Sequence, residues 1–165
     1  TALTPIQSFL ESESWAFYRG ASKEGNLNCC INADYGEGKY RLSSVEKEMF
    51  LKEFVSFMKE HPAYRVYAAC DGEIVTSAMF VYLIPKTPKP GREPKYIAYL
   101  TNVYTRKAHR NQGVGKRLMQ HIQAELTKEN CELIFAWPSE KAMNWYKRMG
   151  FSSDDELLVC HLMEG

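Results

Sequence analysis

The sequence predicts a mixed α/β domain in which helices flank a central sheet. Segments with the 3.6-residue repeat of amphipathic helices alternate with short apolar runs rich in β-branched and aromatic residues. The predicted order is helix, helix, three strands, helix, strand, helix and strand. A chain of 165 residues, 45% of them hydrophobic, can bury a single core of ordinary size. We therefore expect one domain over residues 1–165.

The first predicted element is a helix near the start of the chain. Thr4-Pro5 has the residue types preferred at a helix N-cap and first position, and an apolar face continues to about Gly20. This pattern predicts a helix over 5–19. The following segment, 20–42, contains several glycines and little periodicity, so it is expected to form a short helix or loop.

A second helix and three strands are predicted next. Ser43 and Glu46 have the spacing of a capping box, and the apolar repeat that follows ends near His61. Asp71-Gly72 is typical of a tight hairpin between two strands. The three strands are expected at 65–71, 73–84 and 95–105.

A glycine-containing turn joins the third of these strands to the next helix, which is expected over 113–128. The turn reads Arg110-Asn111-Gln112-Gly113-Val114-Gly115-Lys116. At a helix start the first backbone N–H groups lack intrahelical partners and face the positive end of the helix dipole, so a diphosphate can accept several hydrogen bonds there. The alternative is an ordinary helix start after a surface loop. The string matches neither a Walker loop nor the dinucleotide fingerprint.

A second motif follows the strand predicted at 131–137. It has the form S-x-x-A-x-x-x-Y-x-x-x-G-F, with Ser139, Ala142 and Tyr146 followed by Gly150-Phe151. Ser139 is expected to cap a helix, and Gly150 suits its C-terminal end. The last apolar segment, 156–164, predicts a final strand.

Taken together, the two motifs resemble those of the GNAT superfamily of acyl-CoA-dependent N-acetyltransferases. Arg110, Gly113 and Gly115 match the family's Q/R-x-x-G-x-G/A turn, and Tyr146 to Phe151 match its Y-x-x-x-G-F pattern. The resemblance implies a twisted, mostly antiparallel sheet that splays apart at the cofactor site. The family usually opens with a strand, so this chain, which begins at Thr1, is expected to have that strand shortened or trimmed.

The resemblance also implies that acetyl-CoA donates an acetyl group to an amine, most plausibly that of a small molecule. Peptide N-termini are the alternative acceptor, and a non-catalytic acyl-CoA-binding module is the alternative class. A backbone N–H, that of Val103, is expected to polarise the thioester carbonyl. The expected cofactor-binding residues are Val103, Tyr104, Thr105, Arg110, Asn111, Gln112, Gly113, Val114, Gly115, Lys116, Ser139, Ala142 and Tyr146.

Two tyrosines are the catalytic candidates. The family places its general acid at the position of Tyr146, and a phenol and a thiol have ordinary pKa values of comparable size, about 10 and about 8.5. Some relatives have a Glu that serves as the general base at the position where this chain has Tyr99. The remaining alternatives for proton removal are water held by Tyr99, Thr101 or Asn102, or a carboxylate from the first helical region. Those carboxylates are Glu11, Glu13, Asp34 and Glu37, and the same region supplies the aromatic residues Trp15, Phe17, Tyr18, Tyr35 and Tyr40.

The net charge and the cysteine content argue against several other functional classes. A net charge of +1 argues against a protein whose main task is to coat nucleic acid or an anionic membrane. The five cysteines have neither metal-binding nor disulfide-framework spacing, so Cys70, Cys131 and Cys160 are expected to be buried thiols in strands. No run of about eighteen apolar residues and no signal sequence is evident, which predicts a cytoplasmic protein. Many relatives dimerise, so the resemblance allows a homodimer.

Overall fold

The computed structural model describes residues 17–18, 43–71, 74–153 and 157–162. Several expectations fall outside these ranges. They include the body of the first predicted helix, the segment 20–42 and the hairpin turn at Gly72. The carboxylates and most of the aromatic residues considered for the acceptor side also lie outside them.

A five-stranded sheet forms the centre of the domain, with the strands in sequence order across it. Three antiparallel pairings join the first four strands, and the last pairing is parallel, so the predicted mostly antiparallel sheet is confirmed. The strands are β1 Phe17–Tyr18, β2 Tyr64–Asp71, β3 Ile74–Pro85, β4 Tyr96–Thr105 and β5 Cys131–Phe135.

The helix predicted over 5–19 was wrong at its C-terminal end, where the chain forms a strand. Phe17 and Tyr18 pair with Tyr67 and Val66 at the edge of the sheet. Extended backbone at these two aromatic residues satisfies hydrogen-bonding groups of β2, which a helix at the same place would not do.

Helices cover both faces of the sheet. They are α1 Ser44–Glu60, α2 Val114–Lys128 and α3 Met143–Arg148, with short 3₁₀ turns at Lys107–His109 and Glu140–Ala142. The predicted capping box of α1 is present, since the Ser43 side chain accepts from the Glu46 backbone N–H while the Glu46 carboxylate accepts from the Ser43 backbone N–H. The boundaries of α1 and α2 agree with the sequence pattern to within about one residue.

Each face of the sheet has its own apolar cluster. On one face, α2 buries Leu118, Met119 and Ile122 against residues of the central strands such as Met79 and Leu100. On the other face, α1 packs Met58 and its phenylalanines against the alternate residues of β2 and β3. Because β2 and β3 are covered on both faces, they form a fixed support along which β4 pairs.

The final strand, predicted over 156–164, is not formed in the described part of that segment. Residues 157–162 have no strand or helix, and the side chains of Leu158 and Leu162 are 92% and 90% exposed. An apolar alternating pattern becomes a strand only when a neighbouring strand pairs with it, and none of the described strands does so. Consequently Cys160 is exposed, contrary to expectation, whereas Cys70 is buried and Cys131 half-buried in their strands.

The helices of the described residues are too short or too polar to cross a membrane.

Candidate functional site

The sheet opens between β4 and β5. Their ladder runs from Tyr96 opposite Cys131 to Tyr99 opposite Phe135, where β5 ends while β4 continues to Thr105. Asn102 lies in this continuation with a φ of 49°, in the left-handed region. Ala78 opposes Tyr104 and Phe80 opposes Thr101, so two residues of β4 face the single residue Met79. This bulge bends β4 and opens a gap beside its last four residues.

Side chains of β3 fix the far end of β4. The Ser77 hydroxyl donates to the Tyr104 carbonyl at 2.9 Å, and its oxygen lies 2.9 Å from the Thr105 hydroxyl. Arg106 continues the attachment through its backbone N–H, which donates to the Thr76 carbonyl at 2.9 Å. The strand end is therefore anchored on the β3 side and open on the β5 side.

The glycine turn brings the start of α2 against this strand end. Gly113 is the N-cap and has a φ of 79°, a conformation that costs little only for glycine, and it has no side chain to cap the first amides of the helix. A Cβ at Gly115 would lie 3.1 Å from the Thr105 hydroxyl oxygen. Gly115 thus permits the close approach of the helix to β4, while Gly113 leaves the helix N-terminus bare.

Two polar side chains of the turn have structural partners. Nε of Arg110 donates to the Thr105 carbonyl at 2.9 Å, and the guanidinium lies over the Tyr104 ring, 5.4 Å from its centroid. The Gln112 amide donates to the Ala108 carbonyl at 2.9 Å. Arg110 therefore ties the turn to β4, and the side chain of Gln112 closes the turn on itself.

The second motif has a direct structural explanation. The Phe151 N–H bonds to the Tyr146 carbonyl, the Gly150 N–H bonds to the Lys147 carbonyl, and Gly150 has a φ of 89°. These are the bonds of a Schellman C-cap, and the Tyr146 and Phe151 rings make its apolar contact with centroids 5.2 Å apart. The Y-x-x-x-G-F pattern thus fixes the orientation of Tyr146. Ser139 is at an N-cap position, but its side chain makes no capping hydrogen bond, contrary to expectation.

A cavity of about 860 Å³ fills the gap between β4, the start of α2 and α3. It is lined by Tyr99 and by every expected cofactor-binding residue except Gln112. The predicted residues that it brings together are Val103, Tyr104, Thr105, Arg110, Asn111, Gly113, Val114, Gly115, Lys116, Ser139, Ala142 and Tyr146. Its size suits a ligand of several hundred daltons.

Several lining residues were not predicted as site residues, among them Trp137, Trp145 and Arg148. Trp137 follows a short strand and precedes a proline, a position that the sequence pattern alone describes only as a strand end. Arg148 lies in the last turn of α3, where a cation is already explained by the helix dipole. The cationic side chains Arg110, Lys116 and Arg148 line the cavity, and within the described part of the chain no carboxylate does so. An anionic ligand is therefore favoured.

Tyr146 and Tyr99 share this cavity. The Tyr146 side chain is 7% exposed. Burial raises the pKa of Tyr146 to about 12, and the neighbouring Tyr99 adds to the rise. A phenol with such a pKa keeps its proton throughout the neutral range, and so can donate it. Among the residues described, no cluster of His, Cys, Asp or Glu has the geometry of a metal site.

A splayed sheet edge beside a glycine-rich helix start and a buried tyrosine defines an acyltransferase class of site. The family comparison agrees with this assignment. The family model described as "Acetyltransferase (GNAT) domain" matches residues 62–153, more than half of the chain. The protein belongs to this GNAT acetyltransferase family, and the resemblance noted in its motifs is confirmed.

Several solved structures have a fold similar to that of this protein. A transcriptional regulator from Bacillus halodurans C-125 superimposes with a TM-score of 0.66 at 21% identity, over 90% of this chain and 99% of that chain. A predicted acetyltransferase with acetyl-CoA from Clostridium acetobutylicum gives 0.62 at 19% identity, over 86% and 93%. Glucosamine-6-phosphate N-acetyltransferase from Arabidopsis thaliana gives 0.62 at 12% identity, over 92% and 100%. At identities this low, the superpositions show a shared fold and nothing beyond it.

Proposed function

We propose that the protein is an acetyl-CoA-dependent N-acetyltransferase that acts on the primary amine of a small molecule. The proposal rests on one cavity, which the bare N-terminus of α2, the open edge of β4 and the buried Tyr146 share. Family membership supports the transferase class. Acetyl-CoA supplies a thioester whose carbonyl carbon the amine attacks, with the CoA thiolate as the leaving group.

The glycine turn is suited to the diphosphate of the donor. The backbone N–H groups of Val114, Gly115 and Lys116 belong to the first turn of α2, where such groups lack intrahelical acceptors. The cationic side chains of Lys116 and Arg148 add favourable charge at the same cavity. Binding at this end holds the donor in one orientation, which lowers the entropic cost of the reaction.

The open edge of β4 is suited to the pantetheine amides. Its ladder with β5 ends at Tyr99, so on the β5 side the backbone of 101–105 faces the cavity. The Val103 N–H, just after the bulge, is our candidate for the donor to the thioester carbonyl. The residues before it, Tyr99 and Thr101, lie closer to the β5 end and so toward the acceptor.

Tyr146 is the proposed general acid. Its position on α3 is fixed by the Schellman cap, and its raised pKa keeps the hydroxyl protonated at neutral pH. The thiolate that leaves would take the proton from this hydroxyl. The resulting phenolate is costly in a buried site, so the transfer is expected to be concerted with departure or followed by rapid reprotonation.

Proton removal from the amine is assigned to water held at Tyr99 and Thr101. Both side chains line the cavity, and within the described residues no carboxylate replaces them there. The Thr101 hydroxyl already donates to the Asn102 side-chain oxygen at 3.0 Å, which leaves its own oxygen available as an acceptor. An amine that is partly neutral at working pH is the acceptor that such a site serves best.

A small-molecule acceptor is supported by one similar fold, whose name describes acetylation of glucosamine-6-phosphate. Peptide N-termini remain the alternative acceptor within the same chemistry. Matched initial-rate measurements with small amines and with short peptides separate the two.

Tyr146→Phe is the test of the mechanism. The substitution keeps the ring that contacts Phe151 and removes only the hydroxyl. We expect kcat to fall by about a hundredfold, the ordinary contribution of a general acid, while the Kd for acetyl-CoA changes by less than about threefold.

Tyr96→Phe is the matched control, because it removes a phenol of β4 that does not line the cavity. Equal losses in the two variants would contradict the role of Tyr146. Acetyl-CoA binding without turnover on any amine or peptide would instead identify the protein as a binding module.

A further inference from the structure

An aromatic wall lies at the β5 end of the cavity. It consists of Tyr99, Phe135 and Trp137, and we use the term for these three residues. The Tyr99 and Phe135 rings are stacked with centroids 5.3 Å apart, and the Trp137 ring stands at 72° to Tyr99 and 86° to Phe135. Tyr99 and Trp137 line the same cavity as Tyr146 and the glycine turn.

The wall is part of a longer in-register row across the sheet. Tyr64 opposes Tyr82, Tyr82 opposes Tyr99, and Tyr99 opposes Phe135, so one aromatic residue from each of four strands occupies the same face. Side chains directly opposite each other share a face of the sheet, and this register holds Tyr99 and Phe135 in place. Trp137, just beyond β5, lines the cavity and is 63% exposed.

The geometry of the wall restricts what it can bind. Its centroids are 5.1 to 5.4 Å apart, so the rings touch one another and leave no room for a group between them. A ligand group therefore packs on the outer side of the wall and is not enclosed between its rings. At the cavity the wall offers an apolar corner, in which the Trp137 ring stands at 72° to the Tyr99 ring, so that a planar ring can pack face-on against one and edge-on against the other.

The charge of the cavity points in the same direction. Arg110, Lys116 and Arg148 line it, and within the part of the chain that is described no carboxylate offsets them. An acceptor that carries several positive charges would meet more like charge than an acceptor with one amine and an uncharged ring.

We propose that the acceptor is an arylalkylamine, whose aromatic ring packs on Trp137 and Tyr99 and whose amine reaches toward Tyr146. This inference rests on the proposed function, because it names the substrate class of the same site. In this arrangement Trp137 is a specificity-determining residue and takes no part in proton transfer.

The experiment compares phenylethylamine with cyclohexylethylamine, which have the same amine and spacer and differ in the planarity and π-system of the ring. With saturating acetyl-CoA, we expect kcat/KM to favour phenylethylamine by about fivefold, the size of an aromatic contact. Trp137→Ala should remove the preference and raise KM for phenylethylamine by about tenfold, with kcat within about twofold. Trp137→Phe should keep most of the preference.

Leu133→Ala is the matched control. It removes a 42% exposed apolar side chain from β5, the strand that precedes Trp137, and Leu133 does not line the cavity. It should leave both amines unaffected, and all variants should bind acetyl-CoA as the unchanged protein does. Equal kcat/KM for the two amines, or a Trp137→Ala variant that loses stability while its KM values stay the same, would overturn the inference and leave the transferase proposal standing.

A direct binding measurement keeps the two proposals separable. If acetyl-CoA neither binds nor reacts, the proposed function fails, and NMR line broadening of each amine in the presence of the protein then tests the wall alone. Preferential broadening of phenylethylamine that disappears in Trp137→Ala supports the wall. Equal broadening of the two amines contradicts it.

Discussion

The two ends of α2 are built in opposite ways. At the C-terminal end, Arg65 of β2 donates two hydrogen bonds to the Glu129 carboxylate at 2.8 and 2.7 Å, and the Tyr67 hydroxyl donates to Glu125 at 2.8 Å. At the N-terminal end, Gly113 supplies no capping side chain and the first amides of the helix face the cavity. The C-terminal end is thus closed by side chains of the sheet, whereas the N-terminal end is open and has no capping side chain.

The difference between the two ends shows how a helix can have uncapped N-terminal amides and still be held in position. Two carboxylates near a helix C-terminus are unfavourable to the helix dipole, and the Arg65 fork offsets that cost while it attaches α2 to β2. Glu129 in turn raises the pKa of the Arg65 guanidinium, so the pair stays charged. Buried Leu118, Met119 and Ile122 hold the middle of the helix. The closed end and the core thus position the open end.

Breaking the closed end should have the largest effect on stability. Arg65→Met keeps the packing of the side-chain stem and removes the two charged hydrogen bonds to Glu129, whose side chain is 25% exposed. We expect the free energy of unfolding to fall by about 2 kcal/mol. Urea unfolding measures the loss, and acetyl-CoA affinity should change little because the N-terminus of α2 is untouched.

Lys52→Met is the control for this prediction, because the Lys52–Glu48 pair on α1 is 77% and 70% exposed. Its removal should cost less than about 0.5 kcal/mol. A similar cost for the two substitutions would mean that the Arg65 fork does not hold the helix.

Disturbing the open end should instead separate stability from binding. Gly113→Ala introduces a Cβ at a φ of 79°, which costs about 1 kcal/mol of backbone strain. Gly91→Ala is matched to it, since Gly91 has a φ of 71° and likewise has open space around it, but it lies in the loop between β3 and β4.

Both glycine variants should lose similar stability in thermal unfolding. Only Gly113→Ala should lose the additional stabilisation by acetyl-CoA, which for the unchanged protein at about a hundredfold Kd is about 2.7 kcal/mol. Full stabilisation of Gly113→Ala by the ligand would count against the turn as the binding site.

The closed end should also make the stability of the folded protein depend on pH. Burial raises the pKa of Tyr67 to about 12, and its bond to Glu125 contributes to the rise. The unfolded chain loses this proton near pH 10 while the folded protein keeps it. The corresponding stability is therefore present below about pH 10 and is lost as the pH rises toward about 12.

Tyr67→Phe tests that dependence. It should lower stability by about 1 kcal/mol at neutral pH, through loss of the hydrogen bond to Glu125. Its unfolding free energy should then decline less steeply than that of the unchanged protein between about pH 9 and about pH 11. Parallel curves for the two proteins would contradict the raised pKa of Tyr67.

Charge at the open end gives the smallest expected effect. Lys116 is exposed beside the cavity, so Lys116→Gln should weaken acetyl-CoA binding by about threefold at low salt and less at high salt. Lys128→Gln, at the closed end of the same helix, should have no such effect. Calorimetric titrations at two salt concentrations distinguish the two variants.

Local patterns predicted α2, the glycine turn, the capping box of α1 and strands β2 to β4, because each depends on residues that are neighbours in sequence. Pairing with distant residues decided the remainder. Phe17–Tyr18 is a strand because β2 accepts it, and 157–162 is not one because no described strand does. The motifs located most of the cavity, whereas Trp137 and Arg148 enter it only through the folding of β5 and α3.

We propose that the bare start of α2 holds the diphosphate of acetyl-CoA. The most direct measurement follows the backbone amide resonances of Val114, Gly115 and Lys116 during titration with acetyl-CoA and, separately, with S-acetylpantetheine, which has no phosphate. We predict large shifts of these amides with acetyl-CoA only, and shifts at 103–105 with both ligands. Equal responses of the three amides to the two ligands, or no response to either, would contradict the claim.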